Sequence, residues 1–186
     1  MDRFNDRYRV ASARLSSWNY SWNAAYFVTI CTKDRECYFG QIDNQILRLN
    51  SLGIMAGHCW NQIPHHFPFV KLGQFIVMPN HVHGIIVIDK NSPSVETQYF
   101  ASDCAISKTQ DQQSKNKFGP QSGNLASVIR GFKIGVTKAA RELNKTFFWQ
   151  SRFHDHIVRD GDSWNRIADY IENNPTIWDQ DVLYKS

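Results

Sequence analysis

Apolar positions alternate along some stretches of this chain and recur every three or four residues along others, which separates candidate strands from candidate helices. From Ala25, the run Tyr-Phe-Val-Thr-Ile-Cys-Thr is β-branched and aromatic and predicts a first strand. Lys33 to Gly40 reads as a turn or loop. Between Gln45 and Ile63, the residues Ile46, Leu49, Leu52, Ile54, Met55, Cys59 and Trp60 recur at roughly helical spacing. A helix ending before Pro64 is expected there. Phe69 to Val77 predicts a second strand, Met78-Pro79-Asn80 a turn, and His81 to Ile88 a third strand tightly joined to the second. Leu125, Val128, Ile129, Phe132, Val136 and Ala140 share one stripe and predict a helix over Leu125 to Leu143. Phe147 to Val158 predicts a fourth strand. Trp164, Ile167, Tyr170 and Ile171 mark a last helix, capped by Asp162 or Ser163 and stopping before Pro175.

Two stretches carry no such period. Residues 1–23 are basic and aromatic, with Arg3, Arg7, Arg9 and Arg14 beside Tyr8, Trp18, Tyr20 and Trp22. Residues 89–122 are dominated by Ser, Gln, Lys, Asn and Asp. They read as a polar, mobile insertion loop inside one domain, because neither flank looks complete alone. The order β-α-β-β-α-β plus a C-terminal helix predicts an α+β fold. Its sheet is antiparallel and built from split βαβ units, as in ferredoxin-like and RRM-like domains.

Composition narrows the class. The 186 residues suit a single domain, 1–186, and 42% hydrophobic content excludes disorder throughout. Lys and Arg total 21 against 17 Asp and Glu, a net charge of +4 that neither demands nor opposes a nucleic-acid partner. The most apolar stretch, Phe75 to Ile88, is broken by Pro79, Asn80, His81 and His83, so no membrane span is expected. No apolar run follows the charged start, so no secretory signal is expected either. Cys31, Cys37, Cys59 and Cys104 form no C-x-x-C pair, which points to a reduced, cytoplasmic protein.

Two His-x-His pairs carry candidate chemistry. Residues i and i+2 of a strand face the same way, so His81 and His83 would share one face, and so would His154 and His156. Either pair can begin a metal site, or simply be polar positions on a half-exposed sheet. On the last helix, Tyr170 and Asn174 lie one turn apart on the same face. Tyrosine is a possible nucleophile and an amide oxygen a possible metal ligand. The structural alternative is a packed tyrosine and a helix-capping asparagine.

Taken in order, the motifs resemble one family. They are Ala25-Tyr26-Phe27-Val28-Thr29-Ile30-Cys31-Thr32, Arg35-Glu36-Cys37-Tyr38-Phe39-Gly40 and Val77-Met78-Pro79-Asn80-His81-Val82-His83-Gly84-Ile85. After these come Phe132-Lys133, Trp149-Gln150, Asp155-His156-Ile157-Val158-Arg159 and Tyr170-Ile171-Glu172-Asn173-Asn174-Pro175. This series is similar to the REP-associated tyrosine transposases of the HUH single-tyrosine superfamily, related to insertion-sequence 200-like transposases. The resemblance selects His81 and His83 as the metal pair and implies Tyr170 as the nucleophile. Asn174 matches the position of the third, amide ligand, where related enzymes carry Gln. The implied cofactor is a divalent metal, Mg²⁺ or Mn²⁺, with no small-molecule cofactor.

The resemblance also implies a substrate: single-stranded or hairpin DNA from repetitive extragenic palindromes, cut and rejoined through a 5′-phosphotyrosine. Candidate DNA contacts are Arg14, Tyr20, Arg130, Lys133 and Arg152, with Arg14-Leu15 and Asn19-Tyr20 approximating the family's basic lead-in. The implied setting is the bacterial cytoplasm, at the nucleoid, as a monomer or homodimer. Alternatives from other classes are an HUH replication initiator or relaxase-type nickase, an inactive nucleic-acid-binding module on the same fold, and a metal hydrolase using both His pairs.

Overall fold

Tyr26, Val28 and Ile30 are fully buried on one side of the strand Ala24–Cys31, and Phe27, Thr29 and Cys31 line the other. That alternation divides the molecule into a packed face and a site face. The computed structural model describes residues 3–4, 7–8, 18–91, 122–143 and 146–184. Arg14, most of the N-terminal segment 1–23 and nearly all of the 89–122 insertion lie outside the described residues.

Two short strands, β1 (Arg3–Phe4) and β2 (Arg7–Tyr8), pair with each other. Then come β3 (Ala24–Cys31), a 3-10 turn at Lys33–Arg35, and a hairpin of β4 (Gly40–Asp43) and β5 (Ile46–Leu49). Helix α1 (Ser51–Asn61), the single turn α2 (Ile63–His66), β6 (Val70–Met78) and β7 (His81–Ile88) follow. Helix α3 (Leu125–Leu143), β8 (His154–Val158), α4 (Gly161–Asn173) and a 3-10 segment, Asn174–Gln180, complete the order. The main sheet runs β6-β7-β3-β8 with every neighbour antiparallel. This is the expected α+β arrangement, with the two central strands supplied by the first halves of two split βαβ units.

Three boundaries differ from the expected ones. The helix expected over 45–63 starts only at Ser51. Asn44 and Gln45 take left-handed φ values of 50° and 65°, which closes a tight hairpin, and Ile46 belongs to that exposed hairpin rather than to a helical stripe. The Asn50 side chain then caps α1, accepting from the backbone N–H groups of Leu52 and Gly53, both at 3.0 Å. The fourth strand shrinks to His154–Val158, and Trp149 makes only an isolated bridge to Thr32. The cap of α4 is Asp160, whose Oδ1 accepts from Ser163 N at 2.7 Å, rather than Asp162 or Ser163. The helix itself ends at Asn173, before Pro175, as expected. The chain continues as a 3-10 segment, in whose first turn a proline's missing N–H costs nothing.

Helices α1 and α3 cover the Tyr26 face, where Trp60, Leu52, Ala56, Val128, Phe132 and Val136 pack on Val28, Ile30, Val82 and Ile86. Gly84 permits a close approach of helix to sheet: a Cβ there would run into the Trp60 ring and lie 2.9 Å from Phe75 Cβ. Helix α4 takes the opposite face, laying Trp164 over Gly73 of β6, where a Cβ would come within 2.8 Å of the indole. One tryptophan seated on one glycine therefore sets each layer. Gly84→Ala is expected to destabilise the protein by about 2 kcal/mol through overpacking. Urea unfolding checks this, and an unchanged midpoint would show that the Trp60 contact gives way. No helix among the described residues is long and apolar enough to cross a membrane.

Candidate metal and tyrosine site

The turn Pro79-Asn80 sends β7 back along β6, and strand alternation then puts His81, His83 and Ile85 on the site face. Cys31 pairs with His81 and Thr29 with His83 across β3. Both imidazoles are buried, at 0% and 2% exposure. Buried polar rings need partners, and the partners reveal which nitrogen remains available. Asn80 Nδ2 donates to the carbonyls of Arg35 (3.1 Å) and Leu183 (2.8 Å), which fixes the orientation of that amide. Asn80 Oδ1 therefore faces His81 Nδ1 at 2.8 Å, so Nδ1 must carry the proton. His81 Nε2 is left as a lone pair, buried and without a partner among the described residues. Such an outer hydrogen bond is how a protein presents an imidazole to a metal. His83 is held similarly, with Nδ1 2.9 Å from Thr29 Oγ1 and its ring stacked on Phe27 at 5.2 Å.

Tyr170 reaches this pair from α4. Its hydroxyl lies 3.4 Å from His83 Nε2 and donates to Asp181 Oδ2 at 3.4 Å. Asn174, one turn further, is fully buried; its Nδ2 donates to the same Asp181 oxygen at 3.2 Å, while its Oδ1 has no partner among the described residues. His81, His83 and Asp181 offer ligand atoms all within 4.8 Å of one another. Two orphaned buried acceptors beside a carboxylate and a second imidazole form a donor set that fits a divalent cation.

Asp181 was not anticipated from the sequence. It follows the last predicted element and has no spacing relation to the histidines. Arg35 Nη1, bonded to Val182 O at 2.7 Å, and Asn80, bonded to Leu183 O, tie the C-terminal segment down and bring its carboxylate in.

Electrostatics follow from burial. Desolvation holds His81 well below the usual imidazole range, with His83 and Arg35 adding to the effect. Desolvation lowers His83 to about 4, although Asp181 pulls the other way. Both rings are therefore neutral at pH 7, as metal ligation requires. Burial raises the Tyr170 phenol, and the Asp181 charge raises it further. The tyrosine is thus poorly ionised unless positive charge arrives beside it.

The histidine shifts carry a pH dependence. An unfolded imidazole titrates near 6.5 and folded His83 near 4, so between these values the unfolded state binds more protons. Stability is full above pH 6.5 and is lost as pH falls toward 4. Between pH 6.5 and 5 the loss from His83 is about 2 kcal/mol, or roughly 4–8 °C in melting temperature. Thermal melts at pH 7.5 and 5 check this, and His83→Phe is expected to shrink the difference, with the remainder coming from His81, which burial lowers as well.

The candidate DNA contacts divide. Arg130, Lys133 and Arg152 line one open groove of about 640 Å³ along α3, together with Lys138 and Arg141 over a floor of Ile129, Ile134 and Phe153. Within it, Lys133 also serves the fold: its ammonium donates to the carbonyls of Gln150 (2.8 Å) and Arg152 (2.6 Å), and burial lowers its pKa to about 8. Trp149 Nε1 donates to Lys133 O at 3.2 Å, so Phe132-Lys133 and Trp149-Gln150 form one structural clasp. Tyr20 is not brought to the site. It stacks on Tyr26 at 5.7 Å, on the packed face, and its carbonyl accepts from Leu125 N. His154 and His156 lie on the site face but exposed, opposite Thr29 and Phe27 on the edge strand β8.

No protein-family model matches the chain. An uncharacterized protein of Haemophilus influenzae is 41% identical over 180 residues, covering 93% of this chain and 92% of that protein. The chain belongs to that protein's family. A second Haemophilus influenzae protein, provisionally named a REP-associated tyrosine transposase, is 23% identical over 158 residues, covering 84% of this chain and 73% of that one. Among solved structures, a REP-associated tyrosine transposase bound to a REP hairpin aligns with a TM-score of 0.57 at 18% identity. The alignment covers 90% of this chain and 73% of that one. The chain thus shares the fold of the REP-associated tyrosine transposases, as its ordered motifs imply.

Proposed function

We propose that the protein is a DNA transposase that cuts and rejoins single-stranded or hairpin DNA through a covalent bond to Tyr170. The observation that carries this reading is the meeting of the Tyr170 hydroxyl with His83 Nε2 at 3.4 Å beside the unpartnered His81 Nε2 and Asn174 Oδ1. A packed core tyrosine would have no reason to end among orphaned acceptors, whose burial costs stability. The solved neighbour, bound to a REP hairpin, supports a palindromic DNA hairpin as substrate.

His81 Nε2, His83 Nε2 and Asn174 Oδ1 are the proposed ligands of Mg²⁺ or Mn²⁺, with the Asp181 carboxylate in the same cluster. When bound, such a cation would neutralise charge developing on the scissile phosphate and favour ionised tyrosine. The remaining steps belong to the chain. Tyr170 Oη attacks phosphorus, and its proton passes to Asp181 Oδ2. The phosphorus–3′-oxygen bond breaks, and the 3′-oxygen takes up a proton from water, to which Asp181 returns the one it accepted. The new 5′-phosphotyrosine keeps the phosphodiester energy, so the 3′-hydroxyl of the same or another strand can reverse the step without ATP. Asp181 also acts as a positioning residue: by accepting from Asn174 Nδ2 it leaves Oδ1 as the amide's open end.

Incubating the protein with labelled hairpin DNA and Mn²⁺ tests the reading. A covalent adduct resistant to denaturant is expected. Nicking without an adduct would favour the metal-hydrolase alternative, and binding without nicking the inactive-module alternative.

A further inference from the structure

The His154-Asp155-His156 pair takes no part in the site described above, yet strand register puts both imidazoles on the same face of the sheet. His156 is opposite Phe27, and His154 opposite Thr29, the residue bonded to His83. The row His83, Thr29, His154 spans two strand spacings, about 10 Å. Helix α4 packs on β6, at the other side of the sheet, and does not shield β8. Both histidines are exposed, whereas His81 and His83 are buried. Arg152 precedes β8 and Arg159 follows it, and both are exposed. Arg152 and Phe153 also line the basic groove of α3. β8 is the edge strand of the sheet, so a path from the site face around to that groove, beside α3 on the packed side, runs over it.

We infer that His154 and His156 are the stacking platform over which an unpaired DNA strand passes from the Tyr170 site to the α3 groove. The inference rests on the transposase reading and names the path of its substrate. A strand whose phosphate sits at Tyr170 must leave across an open surface, and the covered half of the sheet offers none. Imidazole rings stack on bases and donate hydrogen bonds to them, while Arg152 and the α3 cations hold phosphates. The charge of the groove matches a nucleic acid rather than an acidic-free apolar partner. Phe27, between His83 and His156, extends the ring surface toward the tyrosine, its centroid 6.2 Å from that of Tyr170.

The test compares two probes in metal-free buffer by fluorescence anisotropy. One is a DNA hairpin with random-sequence unpaired tails, and the other is the same hairpin without tails. For His154→Ala/His156→Ala, affinity for the tailed hairpin is expected to fall about tenfold. Affinity for the untailed hairpin, and Mn²⁺ binding measured by calorimetry, are expected to stay at wild-type values. Unchanged affinity for the tailed probe overturns the inference. An equal loss on both probes also overturns it, because the pair would then act on duplex charge. Wild-type protein that binds neither probe instead defeats the transposase reading itself. Both side chains are exposed, so folding should survive. Should the alanine pair fail to fold, His154→Gln/His156→Gln keeps polarity, removes the rings and carries the same comparison.

Discussion

Tyr170→Phe is expected to abolish the covalent protein–DNA adduct, a loss of at least about 10³-fold in cleavage. Hairpin binding should remain near wild type, because the ring stays and only the hydroxyl leaves. The hydroxyl's bonds to His83 and Asp181 are both long, at 3.4 Å, and the side chain is 37% exposed. Its removal should therefore change stability by less than about 1 kcal/mol. Denaturing gels of labelled hairpin reactions read the adduct, and anisotropy reads binding. A persistent adduct in this variant would sink the nucleophile assignment. Intact nicking with no adduct would transfer the chemistry to the histidines and an activated water.

The second large effect concerns His81. His81→Phe is expected to lose metal-dependent cleavage by about a hundredfold or more, since charge at the phosphate is no longer offset. Its stability should respond in a way that separates function from folding. The Nε2 lone pair of His81 is buried and unpartnered, a burden on the fold. Phenylalanine removes that burden and keeps an aromatic ring, while it adds a little volume and gives up the bond to Asn80. Metal-free His81→Phe should therefore melt within a few degrees of wild type. Adding Mn²⁺ at about a hundred times its dissociation constant should stabilise wild type by roughly 2.7 kcal/mol and the variant far less. Equal Mn²⁺-induced melting shifts in both proteins would remove His81 from the ligand set. Asp181→Asn in the same assay should weaken the shift, because the cluster loses its one carboxylate.

Much of the fold was legible because its signals are local. The alternation in β3 and β7 and the stripe of α3 follow directly from which residues must face the core, and Leu125–Leu143 matches the expected helix. The hairpin at Gly40–Leu49 was not legible. Its turn uses two left-handed non-glycine residues, and its exposed Ile46 mimics a helical position. The truncated fourth strand failed for another reason. Phe147 and Trp149 are apolar because they pack on Phe39 and Phe132, not because they continue the sheet. Among the candidate DNA contacts, Tyr20 has its ring stacked on Tyr26 in this structure. An aromatic residue reads the same in sequence whether its ring meets a base or a core.

The net charge of +4 says little by itself, because it sums over surfaces that never meet. The order of motifs determined more: one sheet, a histidine pair on a strand, and a tyrosine one helical turn before an asparagine. Those features depend on periods of two and 3.6 residues, which a chain carries locally. Tertiary structure alone decided what those groups face. It buried His81 and His83 while leaving His154 and His156 exposed on the same face, since α4 covers one half of the sheet and not the other. It also brought Asp181 to the site from the far end of the chain, through the grip of Arg35 and Asn80 on backbone carbonyls. Burial and long-range hydrogen bonding depend on which elements pack together, and no local period records that.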